Sequence, residues 1–323
     1  MSEKDSRSER GGMTAVLLAC CAVGAITISA TLKLGPQPSM PSRARIPEIA
    51  TEEYGKRLLA QTSELLGPDN PDPKMRFSGS RMSCGSCHLG TGMEPGTLAL
   101  LLATQHYPRM SPRVGGTTDI EDRVNECMQR SMNGKPLPRN SPEMIAMASY
   151  IRSLGDRNAA MGDSLRKEKE PPPFKTPNRA ADLKAGKQVF ADRCAKCHGA
   201  EGGGLLATAE PIHGYVFPPL WGADSFNDGA GMHRVLTAAR FIKARMPLGQ
   251  ADLKDDEAFD VAAFINSQPR PHMENLDRDF PDRTAKPVDT SYGPFADSFP
   301  PAQHLFGPFA PIEAYYKKLK KSK

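Results

Sequence analysis

The motif Cys-x-x-Cys-His occurs twice, as Cys84-Gly-Ser-Cys87-His88 and as Cys194-Ala-Lys-Cys197-His198, and it constrains the fold more than any other feature. Two thiols separated by two residues match the spacing of the two vinyl groups of a haem. A histidine directly after them is carried beneath the ring as an axial nitrogen ligand. With seven Cys and seven His in 323 residues, chance would supply on the order of 0.003 such matches, so two are a pattern. A zinc site does not require His after each Cys pair. A thioredoxin-type pair needs a βαβ setting that this sequence lacks. The reading is two covalently bound haem c groups, one on Cys84 and Cys87 with His88 on iron, the other on Cys194 and Cys197 with His198 on iron.

The surroundings of the two motifs repeat one plan. Tyr54-Gly-Lys-Arg-Leu-Leu59 precedes the first and Ala185-Gly-Lys-Gln-Val-Phe190 the second. After the first, Met144, Ile145, Met147, Ala148, Ile151 and Leu154 keep helical spacing, with Pro142 suited to a first turn and Gly155 to a stop. After the second, Asp256 to Ile265 has the same character, Ser149-Tyr150-Ile151 answering to Ala263-Phe264-Ile265. No alternating strand pattern of any length is present. With 30 Pro, 28 Gly and a single Trp, the chain suits small domains with long loops. It resembles two class I cytochrome c domains in tandem, mainly α, with an extended C-terminal tail. The expected organisation is an N-terminal segment 1–12, an apolar segment 13–32, a Pro-rich linker 33–50, domain 1 over 51–160, a charged linker 161–180, domain 2 over 181–270, and a tail over 271–323.

Residues 13–32 carry no charge across 20 positions and follow Arg7 and Arg10, a length that spans a bilayer as a helix. A cleaved signal peptide, an uncleaved anchor and lipid attachment at Cys20 are the readings, and all three export the rest of the chain. The expected location is therefore the periplasm, free or anchored to the inner membrane by residues 13–32. The formal charge of +5 belongs to the end of the chain, because Lys317, Lys318, Lys320, Lys321 and Lys323 bring five charges with no acid, while 41–315 is near neutral. This reads as a solvated tail and argues against nucleic acid as a partner.

The chemistry depends on the sixth iron ligands. In the second half the candidates are Met246, Met232, His213, His233 and Lys243. Met246-Pro-Leu-Gly249, followed by a helix, favours Met246, whose thioether would raise the potential. In the first half Cys127 stands alone in Asp119 to Gly134, a stretch with a capping Asp and a terminating Gly. Its spacing puts Arg123, Cys127 and Ser131 on one helical face. Cys127 reads either as a small buried hydrophobe or as the axial thiolate of haem 1, kept anionic by nearby arginines. Segment 74–139 holds nine basic residues against five acids, and Arg113 precedes Gly115-Gly116, a flexible loop whose amides suit an anion. Together these suggest a small anionic substrate.

These residues, with the tail motifs Asp279-Phe-Pro-Asp282, Lys286-Pro-Val-Asp289, Tyr292-Gly-Pro-Phe295 and Gln303-His304 to Ile312, resemble the dihaem thiosulfate dehydrogenases, which form tetrathionate. The likeness covers about residues 50–312. It implies that His88 and Cys127 ligate the catalytic haem 1, that Arg113, Arg123 and Ser131 surround the substrate, and that Cys127 also holds a sulfur adduct. It further implies that two thiosulfates are joined to tetrathionate and that haem 2, on His198 and Met246, relays electrons to an external cytochrome c or similar acceptor. Some members ligate haem 2 through a Lys beside the Met. Here that neighbour is Arg245, which stays protonated. The competing readings are a dihaem electron carrier without substrate chemistry, a cytochrome that loads thiosulfate onto a partner protein, and tetrathionate reduction in the reverse direction.

Overall fold

A helix crossing built on a single glycine closes each half of the chain. In the computed structural model, which describes residues 50–94, 98–160 and 172–321, helix α1 (Glu52–Ala60) crosses α5 (Pro142–Ala160) at Gly55. A Cβ at Gly55 would lie 2.1 Å from the Ala146 carbonyl oxygen. In the second half α6 (Leu183–Val189) crosses α9 (Asp255–Asn266) at Gly186, where a Cβ would lie 2.1 Å from the Asp260 carbonyl oxygen. The next neighbours are the Cβ atoms of Tyr150 and Phe264, the two aromatics that the sequence aligns. Both halves therefore use one backbone-to-backbone contact that any side chain would push apart.

Between these crossings lie α2 (Thr62–Leu66), the short α3 (Ala103–His106) and α4 (Ile120–Arg130) in the first half. The second half adds α7 (Ala195–His198), reached from α6 through a π turn at Phe190–Cys194, and α8 (Val235–Arg245). Helix α4 starts as its sequence indicates. Asp119 accepts the Asp122 amide at 2.9 Å, and the Asp122 carboxylate accepts the Asp119 amide at 3.1 Å. Among the described residues, strand content is confined to two antiparallel ribbons. One pairs β1 (Arg109–Ser111) with β2 (Gly116–Thr118), and the other pairs β3 (Leu205–Leu206) with β4 (Tyr215–Phe217). The Gly115-Gly116 loop, expected to be flexible, is the turn of the first ribbon. The Gly115 amide is bonded to the Ser111 carbonyl at 2.9 Å and so is not free for an anion.

Gly155 does not stop a helix. Helix α5 continues to Ala160, and Gly155 is needed because Thr104 packs there: a Cβ would meet its Oγ1 at 2.0 Å. The terminal lysines at 317, 318, 320 and 321 are exposed, as a solvated run should be, but they stand on a docked helix. After α10 (Pro301–Phe306), the lysines at 317, 318, 320 and 321 ride on α11 (Ala310–Lys321), whose Ile312 and Tyr316 are buried in the second core with Phe309. Their i, i+4 spacing gives the lysines a helix to stand on. Residues 271–300 are pinned by buried polar groups. Lys286 donates to the Tyr292 and Pro294 carbonyls at 2.9 and 3.0 Å, and Asp289 accepts from Arg234 and from the Leu236 amide at the start of α8.

Two cores form, one per half, but the chain does not keep them separate. Phe226 and Ala230, from the second half, are buried in the first core, and Met232 packs against both. Residues 46–323 form one compact unit. Segment 13–32 and its Cys20 lie outside the described residues. Among the described residues no helix is long and apolar enough to cross a membrane.

Gly55→Ala and Gly186→Ala should each destabilise the protein by about 1–3 kcal/mol, read by thermal or denaturant unfolding of the holoprotein. Asp119→Ala should cost about 1 kcal/mol near neutral pH through loss of the cap. Hydrogen bonding from Arg139 is the chief reason that Asp119 titrates at about 2, against its ordinary carboxylate value. A lowered folded pKa means stabilisation that is complete above about pH 4 and lost as pH falls toward 2. The difference between parent and variant should therefore shrink across that window.

Candidate active site

Each motif histidine is aimed by a backbone carbonyl. His88 Nδ1 lies 2.7 Å from the Leu98 carbonyl oxygen, and His198 Nδ1 lies 2.8 Å from that of Pro218. A carbonyl only accepts, so Nδ1 carries the proton and Nε2 is left as an electron-pair donor. The first motif is held in turn by α2. The buried Thr62 hydroxyl donates to the Leu58 carbonyl at 2.7 Å and accepts the Cys84 amide at 3.0 Å. In the second half Cys194 and Met246 are both packed against the same core as Trp221 and Leu220.

Helix α4 brings Cys127 to His88. The thiol lies close enough to interact with the imidazole and to be felt by Cys84 and Cys87. Its environment differs from theirs. Burial pushes Cys84 up to about 11 and Cys87 up to about 12, and it pushes Cys194 up to about 11. Burial also works to raise Cys127. The Arg123 charge, followed by the hydrogen bond and charge of His88, outweighs it against a small opposing contribution from Glu126. Cys127 is thus held below the ordinary thiol value.

The remaining residues singled out from the sequence fall into two groups. Arg123 Nη1 is 2.7 Å from Glu126 Oε2, with 42% of its side chain exposed beside Cys127. Ser131 caps the end of α4, its amide bonded to the Cys127 carbonyl at 2.8 Å. Arg113 is committed elsewhere: Nη1 donates to Asp279 at 2.8 Å and to the Tyr292 hydroxyl at 3.0 Å. Asp279 also accepts from Arg130 at 2.8 Å and from Tyr292 at 2.6 Å. Asp279, Tyr292, Glu126 and Arg130 were not assigned roles from the sequence. No local periodicity links a tail residue to a helix about 150 positions earlier.

The candidate sixth ligands of the second half sort by their contacts. His233 is buried with both ring nitrogens facing backbone carbonyls, of Asp228 at 2.9 Å and Asn266 at 3.2 Å. His213 lies between Glu64 and Glu210 at the surface. Lys243 donates to the Leu253 carbonyl at 2.6 Å. Met232 packs against both cores, which leaves Met246, packed against the second core as Cys194 is.

The residues fit a haem in each half. The four motif cysteines form no disulfide, each pair is followed by a histidine whose Nδ1 is fixed, and a sulfur side chain stands in each half as a further donor. Among the described residues no three His, Cys, Asp or Glu side chains converge as a protein-only metal site would require, so each iron takes its other donors from a macrocycle.

Comparison with known proteins agrees. Residues 76–158 match the family described as SoxA/TsdA, cytochrome c domain, and residues 181–265 match cytochrome c oxidase, cbb3-type, subunit III. The thiosulfate dehydrogenase of Stutzerimonas stutzeri is 34% identical over 274 residues, covering 81% of this chain and 87% of that protein. That of Allochromatium vinosum is 38% identical over 241 residues, covering 72% and 84%. The solved thiosulfate dehydrogenase TsdBA from Marichromatium purpuratum, as isolated, superposes with a TM-score of 0.62 at 33% identity, covering 80% of this chain. This chain spans 53% of the length of that one. Both matched domains contain an attachment motif, so two covalently bound haem c groups are present. By identity, by coverage and by the two haem domains, the chain belongs to the thiosulfate dehydrogenase family of dihaem c-type cytochromes.

Proposed function

We propose that the protein oxidises two thiosulfate dianions to tetrathionate at the first haem site, with the second haem site passing the electrons to an external cytochrome c or similar acceptor. The observation that carries this reading is the pairing of Cys127 with His88 beside the Arg123 charge. A cysteine serving only as a small buried hydrophobe would have no reason to face a cation and an imidazole, and Cys127 faces both Arg123 and His88. When bound, each haem supplies a one-electron acceptor. His88 and Cys127 are assigned to haem 1, and His198 and Met246 to haem 2.

Cys127 acts as the sulfur nucleophile. Its thiolate forms an S–S bond to the outer sulfur of one thiosulfate, and two electrons leave the pair as that bond forms. The outer sulfur of a second thiosulfate then attacks the bound one. The Cys127–sulfur bond breaks, Cys127 recovers its electron pair as thiolate, and tetrathionate departs. Arg123 provides the cation against which each dianion is held. Ser131 stands one turn further along the same face. Arg113 shapes the site through its tail contacts and not by facing the substrate. Leu248, two residues past Met246 and 63% exposed, gives the haem 2 edge an apolar spot where a partner can dock transiently. Residues 13–32 serve as the export signal or the inner-membrane anchor that puts the enzyme in the periplasm.

Replacing Cys127 with Ala should lower kcat for thiosulfate-dependent reduction of an artificial acceptor on the order of 100-fold or more, with both haems still attached. Full activity in that variant would exclude the mechanism and favour an electron carrier without substrate chemistry. For the second site, Met246→Ala should remove the methionine–iron absorption band of the ferric protein and lower its midpoint potential. Lys243→Ala should leave both unchanged.

A further inference from the structure

The C-terminal tail is a motif-rich segment that the reaction leaves unexplained, and it meets the first haem domain around Asp279. Asp279 is 7% exposed. Its carboxylate accepts from Arg113 Nη1 and Arg130 Nη2, both at 2.8 Å, and from the Tyr292 hydroxyl at 2.6 Å. The backbone repeats the attachment: the Phe280 amide donates to the Arg113 carbonyl at 2.7 Å, and the Arg113 guanidinium lies 5.1 Å over the Phe280 ring. Pro281 rests against Gly115, where a Cβ would come within 3.2 Å of it.

These contacts bear on Cys127 through charge. Glu126 stands between two arginines. Its Oε2 holds Arg123 at 2.7 Å, while its buried Oε1 has no hydrogen-bond partner and lies 3.7 Å from Arg113 Nε. An orphaned carboxylate oxygen and a guanidinium at that separation would close if nothing else held the guanidinium. Asp279 holds it. Arg130, on α4 one turn past Cys127, is fixed by the same carboxylate and by the Gly229 carbonyl at 3.1 Å.

We propose that Asp279 is a positioning residue for thiosulfate oxidation. By binding Arg113 and Arg130 it limits Arg113 to a loose 3.7 Å pairing with Glu126 Oε1, so that Glu126 Oε2 is left to orient Arg123 toward the dianion at Cys127. The inference rests on the assignment of Cys127 as the reacting sulfur. It makes the tail part of the substrate site without bringing it into contact with substrate.

The test uses the holoprotein carrying Asp279→Asn or Asp279→Glu, with Cys127→Ala in parallel. Asn removes the charge. Glu keeps it and moves the carboxylate by one methylene, which preserves an ion pair for folding. In Asp279→Asn the KM for thiosulfate should rise about tenfold with kcat changed less than about threefold, and in Asp279→Glu it should rise several-fold. The ferric low-spin signal of the sulfur-ligated haem should become heterogeneous in both, while the haem 2 absorption stays that of the parent. An unchanged or lower KM with the parent haem 1 signal, in whichever variant carries both haems, overturns the proposal. If Cys127→Ala is inactive while the Asp279 variants behave as the parent, only the positioning role fails. If Cys127→Ala is fully active, the assignment beneath it fails.

Discussion

One hydrogen bond, made once in each half, sets the direction in which everything else has to face: the contact from a motif histidine to a backbone carbonyl. An imidazole tied through Nδ1 presents Nε2 along one line. The glycine crossings of α1 with α5 and of α6 with α9 hold each motif against its core. The loops that carry Leu98 and Pro218 then supply the carbonyls. What distinguishes the halves is the sulfur side chain that stands in each. In the first it is Cys127, in the middle of a helix and close to His88, and in the second it is Met246, in the loop after α8 and packed against the second core. The same frame thus stands with a thiol in one place and a thioether in the other.

The electrostatics of the first half are finer than a sum of charges suggests. Nine basic residues lie between 74 and 139, but four of them are paired with carboxylates other than Glu126's Oε2. Arg81 is paired with Asp69 and Asp224, Arg139 with Asp119 and Asp122, and Arg113 and Arg130 with Asp279. The positive charge of the haem 1 domain is therefore partly cancelled. The cation that acts on Cys127 is Arg123, which is held by one carboxylate and kept half-open to solvent. Buried pairs such as Arg130 with Asp279 are costly to break once formed, about 3–5 kcal/mol for removal of one partner, so they fix geometry more than they add net stability.

Much of this architecture can be read along the chain wherever the controlling contacts are local. The two attachment motifs, the capped start of α4, and the helices at 142 and 256 follow from short-range patterns of capping, spacing and covalent chemistry. Cys127 was legible because an isolated thiol on a helix face beside an arginine is unusual. The failures share one cause. Gly155 has the composition of a helix stop, but its neighbour Thr104 is 51 positions earlier, and that contact keeps the helix going. The terminal lysines are exposed, but the helix that carries them is not evident until Ile312 and Tyr316 are seen packed on the second core. Arg113 looks like a free anion receptor until Asp279 appears beside it. In each case the deciding partner is distant in sequence and carries no periodic signal of its own.

The way α4 is gripped at its end has a consequence for how proteins of this kind can change. The Gln129 carbonyl and the Asn133 side chain accept from Asn227, the Arg130 carbonyl accepts the Asn227 amide, and the Arg130 guanidinium reaches Gly229. The helix bearing Cys127 is thus completed by a loop from the other haem domain. Two cytochrome domains in tandem look like interchangeable parts, but here neither half is a finished unit. Recombination that swapped the second domain for that of an unrelated carrier would keep a haem and lose the mould in which the first is shaped. The halves are therefore bound to be inherited together, and drift in one is answerable to the other.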